Sequence, residues 1–104
     1  MFDQNYEFDA KIWLWVTQSG KGAWHFVTLP EDISDEISFF MKQKIRAFGS
    51  LRVSVKIGET QWQTSLFKDK KKNAFLLPIK ADIRKKEKIG VNDIVIVEIC
   101  ASPD

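Results

Sequence analysis

The chain has 104 residues, of which 44% are hydrophobic, and a formal net charge of +2, so its composition is that of one folded domain with its core at about residues 6–100. No apolar run reaches the roughly 18–20 residues of a membrane span, and we expect no signal peptide. One cysteine and one histidine exclude an internal disulfide and a Cys/His metal cage. We therefore expect no metal, no cofactor, no membrane association and a cytoplasmic location.

The small net charge conceals a segregation along the chain. Residues 1–40 carry five net negative charges, residues 41–92 ten net positive charges, and residues 93–104 three net negative charges. This pattern predicts either a basic face for nucleic acid or a solvated surface whose two halves attract each other in the fold.

Every second residue from Phe8 to Val16 is apolar, which predicts one long strand over residues 6–16. One face of this strand would carry Phe8, Ala10, Ile12, Leu14 and Val16, and the other face would carry Trp13 and Trp15. Turn residues at 18–22 and a second strand at 23–29 complete a hairpin. Acidic residues then precede apolar residues at helical spacing, which predicts a helix at 33–47 with Ser34 as its N-cap and Gly49 as its C-cap.

The second half of the chain alternates strands and turns again. Strands are predicted at 50–57 and 61–67, as a second hairpin, and at 74–80, where Pro78 indicates a sheet edge or a bend. A short helix at 81–88, a turn and a closing strand at 94–100 follow. Six or seven short strands with two helices predict a mainly β protein, a small closed or split β-barrel.

The dipeptide Leu-Pro occurs at Leu29-Pro30 and again 48 residues later at Leu77-Pro78. Each copy ends an apolar strand and precedes a charged helix, so the repeat predicts two strand–helix–strand units related by a pseudo-twofold axis. The long helix is expected to cap one end of the barrel and the short helix the other.

The second copy resembles the swapped-hairpin half-barrels of the AbrB and MazE transcription factors. That family has an apolar-Pro pair, then apolar-Arg, an apolar residue five on, and Gly-Asp nine on before a strand. Here Leu77-Pro78 precedes Ile83-Arg84, Ile89 lies five after Arg84, and Asp93 lies nine after it, with Asn92 in place of the family's usual Gly. The resemblance implies an AbrB-like double-split barrel, which a chain carrying two units could complete alone.

A second resemblance spans nearly the whole chain and implies a small β-barrel with a helix. The residues that carry it are Phe8-x-Ala10, Gly22-x-Trp24-x-Phe26-Val27-x-Leu29-Pro30, Val53-x-Val55-x-Ile57-Gly58, Trp62-x-Thr64-Ser65-Leu66-Phe67 and Leu77-Pro78-Ile79-Lys80-Ala81-x-Ile83-Arg84-Lys85. They are similar to a prokaryotic family catalogued as domain of unknown function nineteen-oh-five. The family brings no catalytic residues to carry over.

Two groups of residues are candidates for contact with a partner. Trp13 and Trp15 could stack on bases or fill a partner pocket, or could pack within the fold. Basic residues of the 68–88 region could grip phosphates: Lys68, Lys70, Lys71, Lys72, Lys80, Arg84, Lys85, Lys86 and Lys88.

Catalytic residues are harder to find. A serine nucleophile at Ser65 would need the only histidine, His25, as its base, and the glycines of a nucleophile elbow are missing. Cys100 lies in an apolar strand and is typical of a small buried side chain.

Three hypotheses follow from these candidates. The first is a non-catalytic binding or interaction module of unknown partner. The second is a nucleic-acid-binding protein that uses the basic 68–88 region. The third and weakest is a hydrolase-like enzyme. For all three we expect a monomer or a weak homodimer.

Overall fold

The computed structural model describes residues 4–42, 50–69 and 71–101. Within these residues it contains seven strands, all paired antiparallel, and two helices. The strands are β1 (Gln4–Lys11), β2 (Trp13–Val16), β3 (Ala23–Thr28), β4 (Ser50–Ile57), β5 (Thr60–Asp69), β6 (Ala74–Pro78) and β7 (Ile94–Ala101). The helices are α1 (Glu31–Phe40) and α2 (Ala81–Glu87).

The strands form one curled sheet, a half-barrel with the order β1-β7-β4-β5-β6-β3-β2. β1 and β2 stand at the two ends of this order, yet only Ile12 separates them along the chain. The sheet therefore has to curl until its two ends approach each other.

The prediction of a single strand over residues 6–16 is wrong, because the chain changes partner at Ile12. The backbone of Ile12 bonds to the turn before β7, with Ile12 N–H donating to Asp93 C=O (2.9 Å) and Asn92 N–H donating to Ile12 C=O (2.8 Å). The expected inward face is correct for Phe8 and Ile12, which are buried, but not for Leu14 and Val16, which are exposed.

The core lies between the inner faces of the curled sheet. The predicted inward alternation of β4 is confirmed, since Leu51, Val53, Val55 and Ile57 are all buried. β7 contributes its own buried alternation, and β4 pairs with it from Ser54 to Ile57. Burying each such aliphatic side chain contributes about 1.5–3 kcal/mol, so these two strands supply much of the driving force for the fold.

Helix α1 begins earlier than predicted. Its N-cap is Pro30, and Glu31 and Asp32 occupy the first turn, where negative charge interacts favourably with the helix dipole. The prediction of Ser34 as N-cap is wrong, because Ser34 lies inside the helix, is fully buried, and its Oγ accepts a hydrogen bond from Phe75 N–H (3.1 Å). Helix α1 also ends earlier than predicted, at Phe40 with Met41 as its C-cap, and the expected C-cap Gly49 lies outside the described residues.

The two Leu-Pro corners lie side by side, because β3 pairs with β6. Thr28 lies opposite Leu76, and these two positions are separated by the same 48 residues as the repeat. β6 as a whole is an interior strand between β5 and β3, so the prediction of a sheet edge at Pro78 is wrong, whereas the alternative of a bend fits the end of β6 at Pro78. Pro78 pairs only with β3 and lies past the part of β6 that pairs with β5, so its missing N–H interrupts no bond to β5.

Helix α2, predicted at 81–88, is joined to the turn between β4 and β5. Glu87 accepts a hydrogen bond from Thr60 Oγ1, and a Cβ at Gly58 would lie 1.9 Å from Glu87 Oε1. Gly58 also has a φ of +60°, so the turn favours glycine for its backbone conformation, whereas the carboxylate of Glu87 is the flexible end of a side chain and could move away from a Cβ. Lys88 ends the helix in the left-handed conformation.

Candidate binding surface

Four aromatic side chains share one face of the hairpin formed by β2 and β3. Trp13 lies opposite Phe26, and Trp15 lies opposite Trp24. Directly opposite residues of an antiparallel pair project to the same side of the sheet. The next residue of β3, Val27, is fully buried, so these four rings occupy the outer side. We call Trp13, Trp15, Trp24 and Phe26 the aromatic face.

The rings of the aromatic face differ in exposure. Trp15 is 48% exposed and Trp24 is 51% exposed, whereas Trp13 and Phe26 are half-buried. Trp13 Nε1–H donates to Thr28 Oγ1 (2.9 Å), and the Trp13 and Phe26 ring centroids are 5.3 Å apart. The Trp24 ring lies nearly parallel to Phe26, at 8° and 6.1 Å. Trp13 and Phe26 are thus fixed by their contacts, and the indoles of Trp15 and Trp24 are exposed to solvent.

The apolar surface continues across the sheet beyond the hairpin. Leu76 of β6 lies opposite Thr28 and also opposite Phe67 of β5, so all three project to the same outer side as the aromatic face. Phe67 is exposed and Leu76 is half-buried. Four adjacent strands therefore share one apolar band, which is uncommon on the surface of a protein that binds nothing there.

Lysine side chains border this band at the loop between β5 and β6. Lys72 Nζ lies 5.6 Å from the centroid of the Trp13 ring, within range of a cation–π interaction. A groove of about 600 Å³ is lined by the indoles of β2, by Phe26 and Leu76, by Lys68 and Asp69 at the end of β5, and by Lys71 and Lys72 of the loop that follows. The structure therefore brings Trp13 and Trp15 together with part of the predicted basic cluster; Lys70 lies outside the described residues.

Lys68 has a partly structural role within that cluster. Its Nζ donates to Ser38 Oγ (3.2 Å) and lies 5.0 Å from the centroid of the buried Phe75 ring. It ties β5 to α1, so Lys71 and Lys72 are the more available cations.

A second, smaller pocket of about 230 Å³ lies at the other end of β6. Its lining includes Trp24 and His25 from β3 and Lys80 and Arg84 from the start of α2. Arg84 Nε donates to Ile79 C=O (3.2 Å), which fixes the guanidinium group. His25 Nδ1 is enclosed and has no hydrogen-bond partner among the described residues. Burial and the positive charge of Arg84 lower the pKa of His25 below its usual value.

The two basic groups therefore do not meet at one point. Lys71 and Lys72 precede β6 and Lys80 follows it, so they border opposite ends of the apolar band. Lys85, Lys86 and Lys88 are exposed, and none of them lines either of these two grooves.

The geometry gives no support to a Ser–His pair. Ser65 lies between the buried Thr64 and Leu66 of β5 and projects outward with Phe67, whereas His25 shares the inner side of the sheet with Val27. Strand β6 also lies between their two strands. A serine on one side of a sheet cannot transfer its proton directly to a histidine on the other.

Other candidate residues have structural environments. Trp62 packs against the core, and its enclosed indole N–H has no partner among the described residues. Cys100 is half-buried in β7, opposite Asn5 and Ser54. In the described parts of the chain, no three His, Cys, Asp or Glu residues are grouped so as to hold a metal ion. None of the described helices has the length and hydrophobicity to cross a membrane.

A protein-family model described as domain of unknown function (DUF1905) matches residues 8–99. The chain belongs to this family. The match contains both described helices and every residue of the aromatic face of this DUF1905 chain. No curated protein matches the chain.

The sequence indicated that Trp13 and Trp15 are candidates for partner contact, but it did not show that Trp24 and Phe26 lie beside them. Trp24 and Phe26 are two residues apart on a predicted strand, so the sequence indicated that they share a side. Which side of β3 faces Trp13 and Trp15 depends on the hairpin register, which is a property of the folded chain.

Proposed function

We propose that this DUF1905 chain is a non-catalytic binding module and that the aromatic face, with Lys71 and Lys72, is its contact surface. The observation that carries the proposal is the register of β2 and β3, which aligns four rings on the outer side of the sheet beside a groove of about 600 Å³. Aromatic side chains that are partly exposed and held by neighbouring rings are typical of contact residues at binding sites.

The charges around this surface favour nucleic acid as the partner. Residues 41–92 carry ten net positive charges, and the apolar band has lysines at both ends. The Nζ atoms of Lys71, Lys72 and Lys80 have no carboxylate partner among the described residues. Cations without carboxylate partners can release counterions from a phosphate backbone, which is the main source of affinity in nucleic-acid binding.

The AbrB-like double-split arrangement is part of the same proposal. The pairing of Thr28 with Leu76 supports it, because a local twofold axis through that pair relates the two Leu-Pro corners. Asn92 has a φ of +75°, a conformation that glycine and asparagine both tolerate, which accounts for Asn where AbrB relatives usually have Gly. Both units reside in one chain, so we propose a monomer that binds without a second copy.

Nucleic-acid binding is tested by fluorescence anisotropy with labelled DNA and RNA of mixed sequence across a series of salt concentrations. We expect measurable affinity at low salt and a linear fall of log K with log salt. Replacing Lys71 and Lys72 with Gln should weaken binding, whereas Lys56→Gln removes one exposed charge from the outer side of β4 and should have a smaller effect.

Two results would contradict this proposal. One is the absence of binding at low salt to every nucleic acid tested. The other is an equal loss of affinity in the lysine double variant and in two-charge variants made elsewhere on the surface, because binding would then follow net charge alone.

A further inference from the structure

Resting on the proposed nucleic-acid binding, we infer that the ligand is single-stranded, with unpaired bases stacked on Trp15 and Trp24 and a backbone phosphate in the pocket of His25, Lys80 and Arg84. The inference goes beyond charge, because it assigns separate groups of this chain to the bases and to the backbone.

The two exposed indoles supply the base-stacking part of this site. Trp15 and Trp24 are directly opposite each other on adjacent strands and each is about half exposed. The Trp24 ring lies nearly parallel to that of Phe26 and is 51% exposed, so it presents ring surface to a base. Bases in a duplex stack on one another and have no free ring face, whereas a single strand offers its bases to aromatic side chains.

The pocket at the start of α2 supplies the phosphate-binding part. It is lined by both Trp24 and Arg84, so a phosphate held there would be adjacent to a base stacked on Trp24. The hydrogen bond from Arg84 Nε to Ile79 C=O fixes the guanidinium group and leaves its two terminal nitrogens for a ligand. Lys80 adds a second positive charge at the rim.

His25 adds a third group to this pocket. Its Nδ1 is enclosed and lacks a hydrogen-bond partner among the described residues, so Nε2 is the ring nitrogen that a ligand in the pocket would meet. The lowered pKa keeps the imidazole neutral at pH 7, so it can offer one N–H without adding charge.

The distance along β6 sets the length of single-stranded nucleic acid that the site could hold. Lys80 lies six residue steps after Ala74. At about 3.3 Å per residue they span roughly 20 Å. Lys71 and Lys72 lie just before the Ala74 end of β6. One single-stranded nucleic acid that crosses the apolar band could therefore reach these two lysines as well as the pocket of Lys80 and Arg84. This span fits a footprint at the lower end of the roughly 4–16 nucleotides typical of small single-strand-binding domains.

Three probes separate the contributions of bases and phosphates. They are an oligothymidylate of about 12 residues, a duplex of the same length, and an abasic oligonucleotide that keeps the phosphates but lacks the bases. We expect the single strand to bind at least about tenfold more tightly than either of the others. An oligouridylate of the same length shows whether the site distinguishes RNA from DNA.

Substitution of the indoles provides the residue-level test. Trp15→Ala and Trp24→Ala should each weaken oligothymidylate binding roughly 5- to 150-fold, and Trp24→Phe should restore part of the loss because it keeps a ring. Phe39→Ala is the matched control, since Phe39 is 77% exposed on α1 and lies outside the aromatic face. Each variant is checked for folding by its thermal unfolding curve, so that a loss of affinity is read only from folded protein.

Lys80→Gln tests the phosphate pocket. Removal of one phosphate contact should make the negative slope of log K against log salt shallower by about 0.7, and Lys56→Gln should leave the slope unchanged.

The outcomes separate the two proposals. Equal affinity for duplex and single strand, with tryptophan variants that bind like the wild type, would overturn the single-strand inference and leave nucleic-acid binding intact. An unchanged salt slope in Lys80→Gln would remove the phosphate pocket from the site. Absence of binding to all the probes at low salt would overturn both proposals.

Discussion

At the scale of single residues, Tyr6 connects the first strand to the first helix. Its ring packs against the core, its hydroxyl donates a hydrogen bond to Gln4 Oε1 (3.4 Å), and the carboxylate of Glu36 in α1 acts on the same hydroxyl. Burial first, and then the negative charge of Glu36, raise the pKa of Tyr6 from 10.0 to about 12. Ionisation of Tyr6 is therefore opposed by the folded state.

The raised pKa predicts a specific pH dependence of stability. The folded pKa lies above the unfolded value, so the contribution of Tyr6 is fully present below about pH 10 and is lost as the pH rises toward 12. Because Tyr6 is the only tyrosine, the phenolate absorbance of the native protein reports its titration alone. We expect a midpoint near 12, and a Tyr6→Phe variant whose stability declines less between pH 10 and 12.

Every other side chain is the same in the two proteins. Comparison with Tyr6→Phe therefore isolates the phenol. A native-state midpoint near 10 would show that Glu36 and burial do not act on this hydroxyl.

At the scale of elements, α1 is attached to the sheet by a buried serine. Ser34 Oγ accepts the hydrogen bond of Phe75 N–H in β6, and Phe75 is itself fully buried. Further along the same side of α1, Ser38 receives a hydrogen bond from Lys68. The two serines lie one helical turn apart, and only Ser34 is fully buried.

Ser34→Ala should lower the free energy of unfolding by about 1–3 kcal/mol, because it leaves a buried backbone N–H without an acceptor. Ser38→Ala is the matched control and should cost less than about 1 kcal/mol, since its partner Lys68 can turn to water. Both substitutions gain the same helix propensity of alanine, so their difference measures the buried bond. Urea unfolding gives the energies, and faster hydrogen exchange at Phe75 N–H would locate the effect; equal losses in the two variants would contradict it.

At the scale of the whole molecule, Ile12 joins the two ends of the sheet. It is fully buried, it separates β1 from β2, and its backbone bonds to the turn before β7. Leu14, two residues later, is 42% exposed on the projecting hairpin. The same aliphatic pattern therefore serves two purposes, the core before this point and a surface strand after it.

This difference predicts unequal costs for two similar truncations. Ile12→Ala should destabilise the protein by about 2–5 kcal/mol, because it leaves a cavity where the sheet ends meet. Leu14→Ala should change stability by no more than about 0.5 kcal/mol. The measurement is the urea midpoint at unchanged m-value, and similar midpoints for the two variants would show that the sheet ends are not held together at Ile12.

Local chemistry was sufficient to predict several elements from the sequence. The alternation of β4 indicated its buried face, because side chains of a strand alternate sides whatever the strand pairs with. The short helix predicted at 81–88 and the turn after it are also confirmed, since α2 spans Ala81–Glu87 and a turn follows it before β7. The family match over residues 8–99 confirms the resemblance that spans nearly the whole chain, to the family of domain of unknown function nineteen-oh-five.

The tertiary structure decided the features that depend on long-range pairing. Side chains alternate sides in a core strand and in an exposed hairpin alike, so the sequence pattern could not show that Ile12 is buried and Leu14 is exposed. Only the pairing of β1 with β7 and of β2 with β3 decides this. Ser34 resembled a cap by residue type, but Pro30 starts the helix and Phe75 provides the partner for Ser34. The aromatic face likewise depends on register, since adjacent strands bring together rings that are up to thirteen residues apart in the chain. Sequence by itself thus determined which residues are apolar, basic or turn-forming, and the folded sheet determined which of them meet.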